Sequence, residues 1–457
     1  MDLVVRNADV VTAAGRGLTD IGILNGRVRQ MGGPMSANRE IDAQGKIVTP
    51  GGVDAHVHLT PPSRVATDVK WSDDFESGSV AAAAGGVTTV GNMSFPERDE
   101  TISEGVYRDV AEAERQSLID FFMHPVLLRP TEENLTRIKP LHDAGHTSLK
   151  FFMSYGSFDR QVSSFVKAME ITARAGGIAL VHCEDATIIG CCCDALRKAG
   201  RLNHRNFPGA RPVCSEVVST QRAVAFAEAT NCPVYVVHLA SSRALLACQD
   251  GRNRGVPVFV ETRPLYLHLT SERFQDPDGA KYAGAPPLRA QLDVDSLWSG
   301  LQFGSVDTLA SDHAPWSLKD KLDPAFDATN LRQGVADLET QLPMLFSAGV
   351  RTGKISLERF VAVTSTNPAK LFGLYPRKGT LMVGSDADLV IWNAEETRVI
   401  DGATMNSRCD YSPYDGRAVT GWPQCTISRG EVIFENGRIV GKPGRGRLAA
   451  RGPHQQI

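Results

Sequence analysis

The chain has 457 residues, a formal net charge of -3, 42% hydrophobic and 22% charged residues, the balance of a globular protein with room for one large and one smaller domain. A charge so near neutral gives no electrostatic case for nucleic acid or an anionic membrane as a partner. No stretch approaches the ~20 apolar residues of a membrane span, and MDLVVRNADVV lacks the basic-then-apolar pattern of an export signal, so a cytoplasmic protein is expected.

In chain order, the first fifty residues alternate and turn often. DLVVRNADVVT, IGILNGRVRQMG and GKIVTPGG read as short antiparallel strands, with Asn25-Gly26 as a hairpin turn. From GGVDAHVHL onward the pattern changes to short apolar runs separated by helix-like segments. GVTTVGNMS, IDFFMHPVL, SLKFFMSY, IALVHCED, VYVVHLAS, PVFVETRP and VDTLASDHAP complete a set of eight. Segments such as DDFESGSVAAAAG and SEVVSTQRAVAFAEAT supply the helices between them. Eight near-continuous apolar strands alternating with helices predict an α/β fold, a closed (β/α)8 TIM-like barrel over residues 50–375.

IIGCCCDALRKAG, a helical stretch inside that region, carries Cys191, Cys192 and Cys193. An odd total of cysteines with three adjacent does not read as a disulfide framework, and no second cluster stands at zinc-site spacing, so free thiols are expected. Beyond the barrel, GTLMVGSDADLVIWN and TISRGEVIFENGRIVG, with Asn436-Gly437, return to the strand style. Residues 1–49 and 376–457 are therefore expected to form one small β-sandwich domain from both chain ends. The closing KPGRGRLAARGPHQQI, basic and glycine-rich, reads as a solvated tail.

In such a barrel the reacting groups gather where strands end, at the C-terminal face. His56 and His58, at i and i+2 of the first run, project from one face and can reach a common point, the layout of a pair of metal ligands. Lys150 in the fourth run, His182 in the fifth, His238 in the sixth and Asp312 in the eighth stand at matching ends. Four imidazoles, an amine and a carboxylate are expected to converge on the mouth. His313, as the strand neighbour of Asp312, is expected to face the other way, and His124 reads as a structural histidine.

These and neighbouring residues carry a resemblance. PGGVDAHVHL (50–59), DDFESGSVAAAAGGVTT (73–89), SLKFFMSY (148–155), LVHCED (180–185), VHLAS (237–241), ETRPLYL (261–267), APPLR (285–289), SDHAP (311–315) and NPAKLFGLYPRKGTLMVGSDADLVIW (367–392) resemble the amidohydrolase superfamily. Within it the chain is similar to the cyclic amidohydrolases, hydantoinase and dihydropyrimidinase, over nearly its whole length. The resemblance implies two divalent ions, zinc by preference: His56, His58 and Asp312 on the more buried one, His182 and His238 on the second, and carboxylated Lys150 bridging both. It implies that a metal-bridging hydroxide attacks a small cyclic amide, and that Asp312 takes its proton and returns it to the ring nitrogen. Tyr155 would steady the oxyanion, and Ala285 would sit in a segment that binds the ring. A homo-oligomer, a tetramer by analogy, is also implied.

Thr60 stands where dihydroorotase-like sequences carry an arginine for the substrate carboxylate, which disfavours dihydroorotate. Two departures bear on the substrate. The family's serine before Pro-Pro-Leu-Arg is Ala285, and NLRQGVADLETQLP (330–343) matches the family's asparagine-glycine loop poorly. Loops 61–71 and 156–161 are expected to shape the pocket for the ring substituent. Allantoin or another cyclic ureide or lactam is the alternative substrate class. A non-catalytic assembly protein of the same fold is the non-enzymatic alternative, disfavoured because every ligand position is filled.

Overall fold

In the computed structural model, which describes residues 1–60 and 71–457, the eight apolar runs become eight parallel strands among the described residues. They are Gly52–Val57 (β1), Val87–Ser94 (β2), Asp120–Pro125 (β3), Ser148–Phe152 (β4), Ile178–His182 (β5), Val234–Val236 (β6), Val258–Thr262 (β7) and Thr308–Leu309 (β8). β1 to β3 pair in order, as do β4 to β8. Single parallel bridges join the two sets at both seams, Val126 with Lys150 and Val57 with His313, so the sheet closes into a barrel. A strand covered on both faces must be apolar throughout rather than alternating, and every residue of β2 is indeed buried. Helices Phe75–Ala84, Val162–Arg174 and Val213–Thr230 fill the intervals expected of them. The first is started by Asp74, whose carboxylate accepts from Ser77 N and satisfies one of the helix's otherwise unpaired donors. Ala186–Lys198 carries the cysteine triplet, and all nine cysteines are free.

Both chain ends contribute to one nine-stranded sheet with its own core, which includes Val5, Ile21, Leu389 and Ile427. Its hairpins follow from turn chemistry. Asn25 and Gly26 have φ of 52° and 75°, and Asn436 and Gly437 have 49° and 80°, the two left-handed residues that a tight hairpin demands. The expectation of antiparallel pairing throughout is corrected in one place. Leu3–Thr12 pairs antiparallel with Gly15–Leu24 but parallel with Arg39–Asp42 and Ile47–Pro50, because those strands return through connections longer than a hairpin to its other edge.

The basic C-terminal stretch is not a solvated tail. Ala449 N–H donates to Phe121 O at 2.7 Å, and buried Arg451 donates to Gly145 O at 3.0 Å, Ser148 Oγ at 3.1 Å and Met123 O at 2.8 Å. Its guanidinium also lies 5.0 Å from the centroid of the Phe122 ring. Composition alone reads arginine as a surface residue; here main-chain carbonyls at the N-terminal side of the barrel take its donors. Residues 61–70, most of one loop expected to shape the pocket, lie outside the described residues. No helix among the described residues is long and apolar enough to cross a membrane.

One ion cluster ties barrel to sheet. Lys378 Nζ, fully buried, donates to Asp120 Oδ2 at the start of β3 and to Asp388 Oδ2, both at 2.6 Å, with Asp386 Oδ2 at 3.1 Å. Removing the cation would leave three carboxylates crowded together with too little positive charge. Lys378→Met is therefore expected to lower unfolding free energy by about 3–5 kcal/mol, read by urea denaturation. An unchanged midpoint would show that the cluster contributes no net stability.

Candidate functional site

The strand ends open on a cavity of about 820 Å³ whose wall includes His56, His58, His182, His238, Asp312, Tyr155 and Ala285. His56 lies in β1 with His58 just beyond it, their ring centroids 5.2 Å apart. His182 ends β5, and His238 follows β6. His238 and Asp312 adopt left-handed φ of 38° and 48°, a conformation that costs a non-glycine residue roughly 1–3 kcal/mol and persists only where the surroundings enforce it. Those surroundings are visible. Glu261 Oε1 accepts His238 N–H at 2.7 Å, and buried Asp54 accepts Ser311 N–H at 3.2 Å, pulling the β8 end against β1.

The imidazoles fall into two groups. In the first, the nearest donor atoms of His56, His58 and Asp312 all lie within 4.8 Å of one another. His56 Nδ1–H donates to Glu261 Oε1 at 2.8 Å, which leaves the Nε2 lone pair facing Asp312 Oδ1 at 3.3 Å. His58 Nε2 lies 3.1 Å from the same oxygen. In the second, His182 Nε2–H donates to Glu184 Oε2 at 2.8 Å, so its Nδ1 lone pair faces His238 Nε2 at 3.0 Å. The lone pairs of His56 and His182, each turned inward by a carboxylate behind its ring, are the donor arrangement a cation suits. Burial holds His56 and His238 well below the usual histidine range, so the rings are neutral, the form that binds metal.

Lys150, in β4, is fully buried, and its Nζ has no hydrogen-bond partner among the described residues. A buried amine without an acceptor is costly and uncommon. Burial lowers its pKa to about 8, against the opposing pull of Glu261 and Asp312. Two further buried atoms, His58 Nδ1 and His238 Nδ1, are also unpartnered. The residues therefore fit a metal centre: neutral imidazoles, a carboxylate, and a buried amine that no acceptor holds.

Several residues at the site escaped sequence reasoning. Arg263 is fully buried, donating to Asp312 Oδ2 at 2.6 Å and to Asp337 Oδ2 at 3.3 Å. Burial alone would raise Asp312, but Arg263 and the neighbouring histidines hold it well below the usual carboxylate range. Arg211 clasps Glu184, the carboxylate behind His182. Lys321 Nζ donates to the carbonyls of Ala283, Arg332 and Gly334 at 2.7, 2.6 and 3.0 Å, pinning the two segments whose Ala285, Gln333 and Gly334 line the cavity. The signal for Arg263 and Glu261 lay in ETRPLYL, a motif noticed without a task for either residue.

Tyr155, 47% exposed, follows β4 with its ring 5.2 Å from that of Phe152. His313 stays out of the cavity wall: Nε2 bonds Asp73 Oδ2 at 2.9 Å and Nδ1 accepts Asp337 N–H at 3.1 Å. Strand alternation is not the reason, because β8 ends at Leu309 and it is the left-handed turn at Asp312 that parts the two side chains. His124 is satisfied on both nitrogens, by Ser148 Oγ at 2.7 Å and Ala55 O at 2.9 Å.

The family model described as "Amidohydrolase family" matches residues 47–433. A D-hydantoinase of Ralstonia pickettii is 36% identical, the match covering 100% of both chains. Among solved structures, dihydropyrimidinase from Brevibacillus agri superposes with a TM-score of 0.94 at 32% identity over 100% of both chains. L-Hydantoinase (dihydropyrimidinase) from Arthrobacter aurescens gives 0.89 at 33% identity, covering 98% of this chain and 100% of that one.

Proposed function

The chain belongs to the amidohydrolase family, and on that premise we propose that it is a metal-dependent hydrolase opening the cyclic amide of hydantoins or dihydropyrimidines. The observation that carries the reading is the meeting of four neutral histidines, Asp312 and an unpartnered buried lysine at one end of the barrel. His56, His58 and Asp312 would hold one divalent ion, His182 and His238 a second, and Lys150 would bridge them as a carbamate. An ammonium repels cations, whereas a carbamate is an anion with two oxygens, and a neutral amine is the form that adds carbon dioxide. Zinc suits such a mixed imidazole and carboxylate set. Two ions so bound supply Lewis acidity and a water acidic enough to ionise near neutral pH.

The protein's own groups do the rest. Glu261 and Glu184 fix which nitrogen of His56 and of His182 faces inward. Arg263 keeps Asp312 ionised and turns Oδ1 toward His56 and His58, where it can take a proton and later release it to the departing ring nitrogen. Phe95, Phe152 and Trp71 offer the ring an apolar wall. Tyr155 would donate its hydroxyl to the charge developing on the carbonyl oxygen.

A panel of hydantoins, dihydrouracil, allantoin and dihydroorotate, run beside metal analysis, tests the reading. Hydantoins or dihydrouracil should be opened best, by protein carrying two ions per chain, and full activity without metal would sink the mechanism. Tyr155→Phe should lower turnover by about 10²-fold, the usual loss for one oxyanion donor. Unchanged turnover would leave Tyr155 a wall residue only.

A further inference from the structure

Charge is spread unevenly around the cavity. Arg98 after β2, Arg129 after β3 and Arg211 after β5 line one arc of its wall together with Glu97. Glu97 is engaged by Arg108, with Nη1 to Oε1 at 3.2 Å. Arg211 commits Nε and Nη2 to Glu184, and its Nη1 makes no hydrogen bond among the described residues. Arg129 Nη2 donates to the main-chain carbonyls of Glu97 and Glu100, at 3.2 and 2.9 Å. Those bonds fix its position while its charge meets no carboxylate among the described residues. Arg98 likewise has no ion pair among them. The other carboxylate on the wall, Asp312, lies after β8 and is engaged by Arg263. Arg108 is shared with Glu100 and Asp109 behind the wall, so the charges that the wall presents without an ion-pair partner among the described residues are Arg98 and Arg129.

Size adds a second constraint. A cavity of about 820 Å³ is in the range that holds drug-sized ligands, so a bare five- or six-membered ring would fill a minor part of it. Phe95, Leu128 and Phe152 belong to the same wall as the arginines, an apolar surface for the arm of a substituent.

We propose that the arc is a subsite for an anionic end group on the ring substituent, a carboxylate held by Arg129 with Arg98 and Arg211 around it. The proposal rests on the hydrolase reading above and names its substrate class: cyclic amides carrying an acidic side chain. A guanidinium presents paired donors that match a carboxylate, and Arg129 is already anchored by its carbonyl bonds. Because Arg98 and Arg129 are solvent-exposed, the gain is moderate and is screened by salt.

The test compares the racemic hydantoins of glutamate and glutamine, which share a shape and differ by one charge. With the metal-loaded enzyme at low ionic strength, kcat/KM for the glutamate compound should be about five- to tenfold the higher, and the gap should narrow with added salt. The gap should also collapse in the Arg98→Gln/Arg129→Gln double variant. Equal rates for the two compounds, or a gap that survives in the double variant, would overturn the subsite and leave the hydrolase reading standing. Failure to open either compound while simpler hydantoins are opened would overturn the subsite as well. Failure with every hydantoin would overturn the hydrolase reading and the subsite with it.

Discussion

Lys150→Ala is expected to lose metal and activity together while the barrel stays folded. The amine has no hydrogen-bond partner to forfeit, so its removal leaves no acceptor unpaired and relieves the burial of a titratable group. What the variant lacks is the proposed bridge between the two histidine groups. Lewis acidity contributes several kcal/mol to lowering such a barrier and each ~1.4 kcal/mol is tenfold in rate, so turnover should fall by about 10⁴-fold or more. Lys150→Arg separates a bridge from a simple contact with a substrate anion. A guanidinium stays positive at any working pH and forms no carbamate, so the bridge predicts that this variant is as metal-poor and slow as the alanine one. A contact predicts the reverse. Metal content, circular dichroism and rate measured on both variants decide, and a metal-replete, active Arg variant would remove Lys150 from the ligand set.

The candidate ligands stand out in the sequence because barrel chemistry is positional. A strand buried on both faces must be apolar, so a histidine or lysine within or just beyond such a run stands out, and His56, His58, Lys150, His182, His238 and Asp312 could each be picked from one line of text. The hairpins at Asn25-Gly26 and Asn436-Gly437 were legible for an equally local reason, the left-handed φ that few residues accept. Harder to see were charges that become internal only through pairings between distant segments. Arg263 and Asp337 lie 74 residues apart, and Lys378 meets Asp120 across 258. Taken singly, each reads as a surface residue. Arg451 was misjudged on the same ground, since nothing in a basic, glycine-rich stretch tells that barrel carbonyls await its guanidinium. The eighth strand shows the converse limit: its run spans VDTLASDHAP, yet only Thr308–Leu309 is regular strand, because the chain turns at Asp312 to serve the site.

Asp312→Asn should be the most damaging near-isosteric change in the protein, and its effect has two separable parts. The amide keeps the shape but not the charge, so it can neither take a proton nor complete the donor set with His56 and His58. A positioned acid-base group supplies up to about 10⁴-fold, and a loss of that size is expected here because the metal set weakens at the same time. The second part is structural. Arg263 is fully buried and faces two carboxylates; with Asp312 neutral, only Asp337 remains to balance it, at a cost of about 3 kcal/mol. Adding Arg263→Met and Asp337→Asn to the Asp312→Asn chain takes away the stranded cation together with its other carboxylate, so stability should largely return while turnover does not. If Asp312 serves only as a counter-ion for Arg263, activity would return with stability. Urea midpoints and rates for the Asp312→Asn variant and the triple variant therefore tell a group that moves protons from one that merely balances charge.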